Sequence, residues 1–190
     1  APAVVFAAVA AALQKRGVTA LAGIDLDPGT FTGPLRPAGW PQDQLYTYYC
    51  APTGPFVLEQ GTFELAVAPG EGAARVELIP PPGGLPIEGG IAIADRPKGA
   101  VYGALDLGTA VQVRGKLYRK SPPVRIRTAT VDPAVWYRAS LQRALEAAGL
   151  VVGGEPSSVS AEFVVYQHHS GLQPAVARML EDSSNFDAEQ

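Results

Sequence analysis

An α+β fold is predicted, with a central run of short antiparallel strands set between helices. Three observations carry it. Between residues 57 and 131, apolar and polar residues alternate in short runs broken by Pro and Gly. On either side, over 3–16 and 133–148, apolar residues recur at helical spacing. Twenty-one glycines and eighteen prolines are spread over 190 residues without a period, which suits a turn-rich β protein better than collagen or disorder.

Composition narrows the function classes. A hydrophobic content of 47% is ample for a core, and the length suits one ordinary domain or two small ones. Fifteen basic and eighteen acidic residues give a net charge of -3 without a long run of either sign, which argues against nucleic acid or an anionic membrane as the main partner. Cys50 is the only cysteine, so no intrachain disulfide and no cysteine cluster for a metal can form. The apolar opening, Ala3 to Leu13, is shorter than the ~20 residues that span a bilayer, and no basic segment precedes it. A chain that begins with Ala1 rather than Met is expected to be a segment of something longer.

The first element is a helix over 3–16, with Val5, Val9 and Leu13 four apart and Lys15-Arg16 suited to the negative end of the macrodipole. Gly17 stops it. Val18 to Leu26 read as extended, entering the turn Asp27-Pro28-Gly29. A similar unit returns later: Ala12 to Val18 is echoed by Ala144 to Leu150, each with a helix, a glycine and a short apolar stretch. Two such units suggest packing on one sheet, although the simple chemistry of helix stops explains the echo almost as well.

Residues 32–56 hold Pro34, Pro37, Pro41, Pro52 and Pro55, which rule out a long regular element. The same loop carries Trp40, Tyr46, Tyr48 and Tyr49, which either plug it onto the body or line a ligand groove. Its acid, Asp43, is read from the residues alone as a solvated turn carboxylate. Strands follow at Thr62–Val67, Ala74–Leu78, Ala110–Arg114 and Val124–Thr128. Polar alternate positions leave one face wet, so Arg75, Arg114, Arg125 and Arg127 are expected in solvent.

Asp132 is suited to cap the second helix and Pro133 to its first position, with Trp136, Leu141 and Leu145 on the apolar face and Gly149 as the stop. A short strand at Leu150–Val152, a connector over 153–160 and a strand over 162–167 are expected next. His168 and His169 are neighbours, which on a strand point to opposite faces and do not easily share one ion, and no second group of His, Cys or carboxylate with ligand spacing accompanies them, so no metal and no other cofactor is expected. At the end Leu172, Val176, Met179 and Leu180 mark an amphipathic helix, followed by Ser183-Ser184-Asn185. Ser-x-Asn is the middle of three motifs of penicillin-interacting enzymes, between Ser-x-x-Lys and Lys-Thr-Gly. Ser and Asn also end helices for ordinary hydrogen-bonding reasons.

In this order the segments resemble the D-alanyl-D-alanine carboxypeptidase/endopeptidase family, the class C low-molecular-weight penicillin-binding proteins of peptidase family S13. The matches are colinear: the helix before Gly17-Val18 and the strand from Gly23 to Phe31; Gly39-Trp40; Tyr49 and Ala51-Pro52; Val131-Asp132-Pro133-Ala134; Gly149 to Gly153; and Ser170 to Glu189. The resemblance implies β-containing domains inserted into a transpeptidase-like, β-lactamase-like fold. It divides the chain into an α+β insertion domain (1–56 with 131–168), a small antiparallel domain (57–130), and a return into the transpeptidase-like domain (169–190).

By the same resemblance Ser183 would hydrogen-bond the catalytic lysine and help pass protons, and Asn185 would orient that lysine and the substrate amide. Ser184 stands where the family usually has Asp. Asp43 and Tyr49 would meet the side chain of the stem peptide, with Asp43 as its ammonium partner, one residue off the family's place for the acid. The partners implied are peptidoglycan stem peptide and β-lactams, and the location is exported, periplasmic or associated with the cell envelope. The sequence holds neither Ser-x-x-Lys nor Lys-Thr-Gly, so these 190 residues alone are expected to be inert. The competing expectation is a non-catalytic module that binds cell-wall peptide or a protein through the loop around Trp40–Tyr49.

Overall fold

The structure, a computed structural model, describes residues 2–82, 84–97, 101–154, 164–169, 173–174, 176–177 and 180. Among the described residues, two long helices and three small sheets make an α+β architecture. Helix α1 spans Pro2–Lys15 and leads into β1, Ala20–Leu21. After the long loop come β2 (Thr62–Ala68), β3 (Arg75–Ile79), β4 (Ile87–Ala94), β5 (Val101–Asp106), β6 (Val111–Tyr118) and β7 (Val124–Ala129). Helix α2 spans Pro133–Ala147 and β8 is Val151–Val152.

β2 is the centre of an antiparallel sheet of order β3-β2-β7, and β6 the centre of a second sheet of order β4-β6-β5. On β2 the buried Phe63, Leu65 and Val67 alternate with the less buried Glu64, Ala66 and Ala68, as period two requires. They pack against Ile91, Ala104, Val111, Val113 and Leu117 of the second sheet, so the two sheets form a sandwich. α2 closes one side: Trp136 stacks on Phe63 with centroids 4.8 Å apart and planes 10° from parallel.

The second sheet is not wholly antiparallel, as the alternation had suggested. β5 pairs antiparallel with β6, whereas β4 pairs with it in parallel, Ile87 opposite Val111 through Ala94 opposite Tyr118. The cause is strand order. β5 reverses the chain and β6 reverses it again, so β6 runs as β4 does, and with β6 in the middle the two meet side by side.

The echoed units are copies in three dimensions. At the end of α1 the Val18 N–H donates to Leu13 O (3.2 Å) and Gly17 N–H to Gln14 O (2.9 Å). At the end of α2 Leu150 N–H donates to Leu145 O (3.0 Å) and Gly149 N–H to Glu146 O (2.9 Å). Both are Schellman stops, which need a left-handed residue at the glycine; φ is 74° at Gly17 and 89° at Gly149. Leu13, Val18, Leu145 and Leu150 then meet in one apolar cluster with Ala10. β1 and β8 pair in parallel, Ala20 with Val151 and Leu21 with Val152, so both units do pack on one sheet.

β1 is shorter than the extended run expected over 18–26, and residues 164–167 form no strand. Of the amphipathic helix near the end, the described residues Gln173, Pro174, Val176, Ala177 and Leu180 are helical.

Candidate functional site

The loop over 32–56 has its backbone fastened to the body, with Tyr46, Tyr48 and Tyr49 exposed and Trp40 half-buried. Prolines deny it regular hydrogen bonding, so side chains and distant strands supply the partners. Thr53 N–H donates to Leu35 O (2.8 Å), drawing the loop's two ends together. Tyr46 O accepts from Ala129 N–H on β7 (2.9 Å), and Thr47 forms a single antiparallel bridge with Thr128. Cys50 is buried beneath.

Arg36 holds the interior of this loop. Its Nε donates to Cys50 O (2.9 Å), and its Nη2 to Thr130 O (2.5 Å) and Leu45 O (3.4 Å). Burial lowers the pKa of the guanidinium, and the neighbouring Cys50 and Asp106 act in the opposite direction. Asp106 is 3% exposed yet satisfied. Its Oδ1 accepts from Gly108 N–H (2.7 Å), and its Oδ2 from Val131 N–H (2.9 Å) and Trp136 Nε1–H (3.0 Å). This carboxylate ties the β5–β6 turn to the entry of α2. Neither Arg36 nor Asp106 was singled out from the sequence. Arg36 reaches Thr130 O, and Asp106 reaches Val131 N–H and Trp136 Nε1–H, all distant along the chain, and the only local sign was a charged residue lodged in an apolar stretch.

On this frame the outer surface is aromatic. Tyr46, Tyr48 and Tyr49 are 52%, 55% and 42% exposed. Tyr48 and Tyr49 meet edge to face at 5.4 Å, and the Tyr49 hydroxyl donates to Gln44 Oε1 (3.3 Å). Gln44 belongs to the short 3₁₀ turn Gln42–Gln44 that carries Asp43, so Tyr49 and the turn of Asp43 are in contact. Asp43 itself is exposed, as the residues alone suggested. Arg127 lies 5.9 Å from the Tyr48 ring centre, a cation–π distance.

Arg127 also fixes a strained turn. Glu59 and Gln60 have φ of 47° and 58°, left-handed values that non-glycine residues adopt at a conformational cost. The Arg127 Nη2 donates to Gln60 Oε1 (3.0 Å), Thr62 Oγ1 (3.2 Å) and Glu59 O (3.3 Å), while Thr62 Oγ1–H donates to Glu59 O (2.6 Å). The other three sheet arginines are also exposed; Arg125 pairs with Glu64 at 2.7 Å.

The loop contains no Ser, His or Lys, and its one thiol, Cys50, is buried. Of the four candidate residues the structure places Asp43 and Tyr49 on this one surface; Ser183 and Asn185 lie outside the described residues. His168 and His169 are exposed, and among the described residues no three His, Cys, Asp or Glu are grouped to hold a metal. Among the described residues no helix is long and apolar enough to cross a membrane.

Comparison with known proteins adds three findings. A family model described as the D-Ala-D-Ala carboxypeptidase 3 (S13) family matches residues 3–190. The fold is similar to the crystal structure of penicillin-binding protein 4 from Haemophilus influenzae, with a TM-score of 0.70 and 21% identity over 96% of this chain and 42% of that one. A second structure of that protein, complexed with a β-lactam, gives a TM-score of 0.59 at 20% identity over 96% of this chain and 40% of the other. This chain therefore spans about two fifths of the length of those solved structures. No curated protein sequence matches it.

Proposed function

Because this chain belongs to the D-Ala-D-Ala carboxypeptidase (S13) family, we propose that it is the substrate-presenting part of a serine-type DD-peptidase that hydrolyses D-Ala-D-Ala stem peptides through an acyl-enzyme. The single observation that carries this reading is the family match over residues 3–190, and the fastened loop with its exposed tyrosines supports it. The loop's role is recognition. Asp43 receives the ammonium group of the stem-peptide side chain, and Tyr49, braced on Gln44, packs against that side chain's methylenes.

Ser183 and Asn185 belong, in this reading, to the proton-handling machinery around a lysine that the chain does not itself contain. Acyl transfer needs a nucleophile with an adjacent base and an oxyanion hole. The sequence has no Ser-x-x-Lys to supply the first two, so the 190 residues alone form no acyl-enzyme. In this reading the chain divides into 57–130 and 1–56 with 131–168, with 169–190 leading into a transpeptidase-like domain; the apolar cluster between the helices, which joins 1–56 to 131–168, supports the grouping of those two segments. In this reading the protein acts outside the cytoplasm, in the cell envelope, where its stem-peptide substrate lies. A non-catalytic peptide-binding module is the second reading, favoured by the same exposed tyrosines.

The test has two arms. Incubation with a fluorescent penicillin leaves this chain unlabelled; covalent labelling would overturn the assignment of the nucleophile to other residues. A stem pentapeptide with a free side-chain amine binds, and Asp43→Ala weakens it about two- to fivefold, the range of an exposed ion pair. An amine-blocked peptide binds the parent chain no better than it binds the variant. Equal binding of the free-amine peptide by the parent and Asp43→Ala sinks the ammonium role.

A further inference from the structure

The outer face of the β4-β6-β5 sheet carries a groove that the reading above does not use. It is a shallow, open depression of about 400 Å³ bordered by Tyr46, Tyr102, Leu105, Gln112 and Arg114, with Gly103, Ala104 and Gly115 among its backbone walls. That volume lies within the roughly 300–1,000 Å³ of small-molecule sites. The strand register explains the hollow. Gly103 stands opposite Arg114, and Leu105 opposite Gln112, so these four share one face of the sheet. At Gly103 a Cβ would find nothing within 4 Å, which leaves a gap in the row of side chains. Tyr46 reaches the groove from the loop, with about half of its surface open to solvent.

The lining has a definite chemistry. The Tyr46 phenol offers a flat apolar face with a polar rim, while Tyr102, on the other face of β5, packs against the sandwich core and borders the groove only at its edge. Gln112 adds an amide and Arg114 a guanidinium, and among the described residues no hydrogen bond or ion pair occupies either. No carboxylate lines the groove, so an amine has no counter-charge there. A ligand that matches is flat and apolar on one face, carries hydroxyl and carbonyl groups at its edge, and is neutral or anionic. Position narrows the choice further. Tyr46 stands three residues after Asp43 and three before Tyr49, so the groove adjoins the surface assigned to the stem peptide. The group covalently joined to a stem peptide is an N-acetylated amino sugar.

The geometry points to a sugar subsite: the groove seats an N-acetylated pyranose of the glycan strand that bears the stem peptide. Tyr46 lies against the apolar face of the ring, and Gln112 and Arg114 bond the acetamido carbonyl and the hydroxyls. The choice of ligand rests on the stem-peptide reading of the loop.

Chitotetraose, a sugar probe with no peptide, separates the two ideas. Titrated into the ¹⁵N-labelled chain, it shifts the amides of residues 46, 102–105 and 112–115 with millimolar or tighter affinity. Tyr46→Ala and Arg114→Ala, both exposed positions that leave the melting curve in place, each weaken it about tenfold, the factor that one stacked ring or one charge-assisted bond carries. Cellotetraose, which lacks the acetamido group, binds more weakly. The absence of shifts at these residues, or shifts indifferent to both variants, overturns the subsite. If the free-amine stem peptide binds and chitotetraose does not, only the sugar subsite falls. If chitotetraose binds in the groove and the stem peptide binds nowhere, the subsite stands and the reading of Asp43 falls.

Discussion

Arg36 shows how a charged side chain can replace secondary structure. Three carbonyls, from Cys50, Leu45 and Thr130, converge on one guanidinium, so the prolines that forbid a ladder do not leave those acceptors bare. Arg36→Met is expected to destabilise the fold by about 1–3 kcal/mol, through lost charge-assisted bonds and unsatisfied carbonyls, seen as a lower urea midpoint. Tyr137 makes a pH prediction. Its ring meets Phe6 at 5.2 Å and Phe56 at 5.5 Å, and burial raises its phenol above the ordinary 10.0. The folded chain therefore keeps that proton longer than the unfolded chain does. The corresponding stability is whole below pH 10.0 and is lost as pH rises from there through the folded-state value. Tyr137→Phe should flatten the alkaline limb of a stability–pH curve, and an unchanged limb would assign it to other groups. Asp132 was legible beforehand because an N-cap is a local device, and its Oδ1 does accept from Ala134 N–H at 2.9 Å. Arg36 and Asp106 were illegible because their partners come from other parts of the chain.

At the level of elements, period two identified β2, β3, β6 and β7, since each places one face on a packed core. β4 and β5 escaped. Of β4 only Ile91 is buried, and its Glu88-Gly89-Gly90 segment has no apolar alternation to read. β5 contains a glycine and ends at the buried polar Asp106, which breaks the expected pattern. The paired helix stops offer a clean measurement. Nothing lies within 4 Å of a Cβ placed on Gly17 or Gly149, so alanine there meets only the backbone penalty of a left-handed residue. Gly17→Ala and Gly149→Ala should each destabilise by about 1 kcal/mol, and by similar amounts, in chemical denaturation. A much larger loss at one site would show that the two stops are not equivalent.

Across the whole molecule, α2 is the shared member. Trp136 belongs to the apolar cluster of the sandwich and Leu145 to the cluster between the helices, so one rigid rod enters both. Leu65→Ala and Leu145→Ala should each cost about 2–5 kcal/mol. Because α2 links the clusters, each should lower one common transition, with near- and far-ultraviolet circular dichroism melting together. Two separated transitions would show that the clusters unfold independently. The parallel pairing of β1 with β8 has a kinetic consequence. It joins residues about 130 apart through two-residue strands, and closing a free loop of that length costs roughly 4 kcal/mol of chain entropy. So short a ladder returns about that much and no more. The clasp therefore shuts last, after the sandwich has reeled in the intervening chain. Leu21→Ala should speed unfolding in stopped-flow experiments while leaving the refolding rate almost untouched.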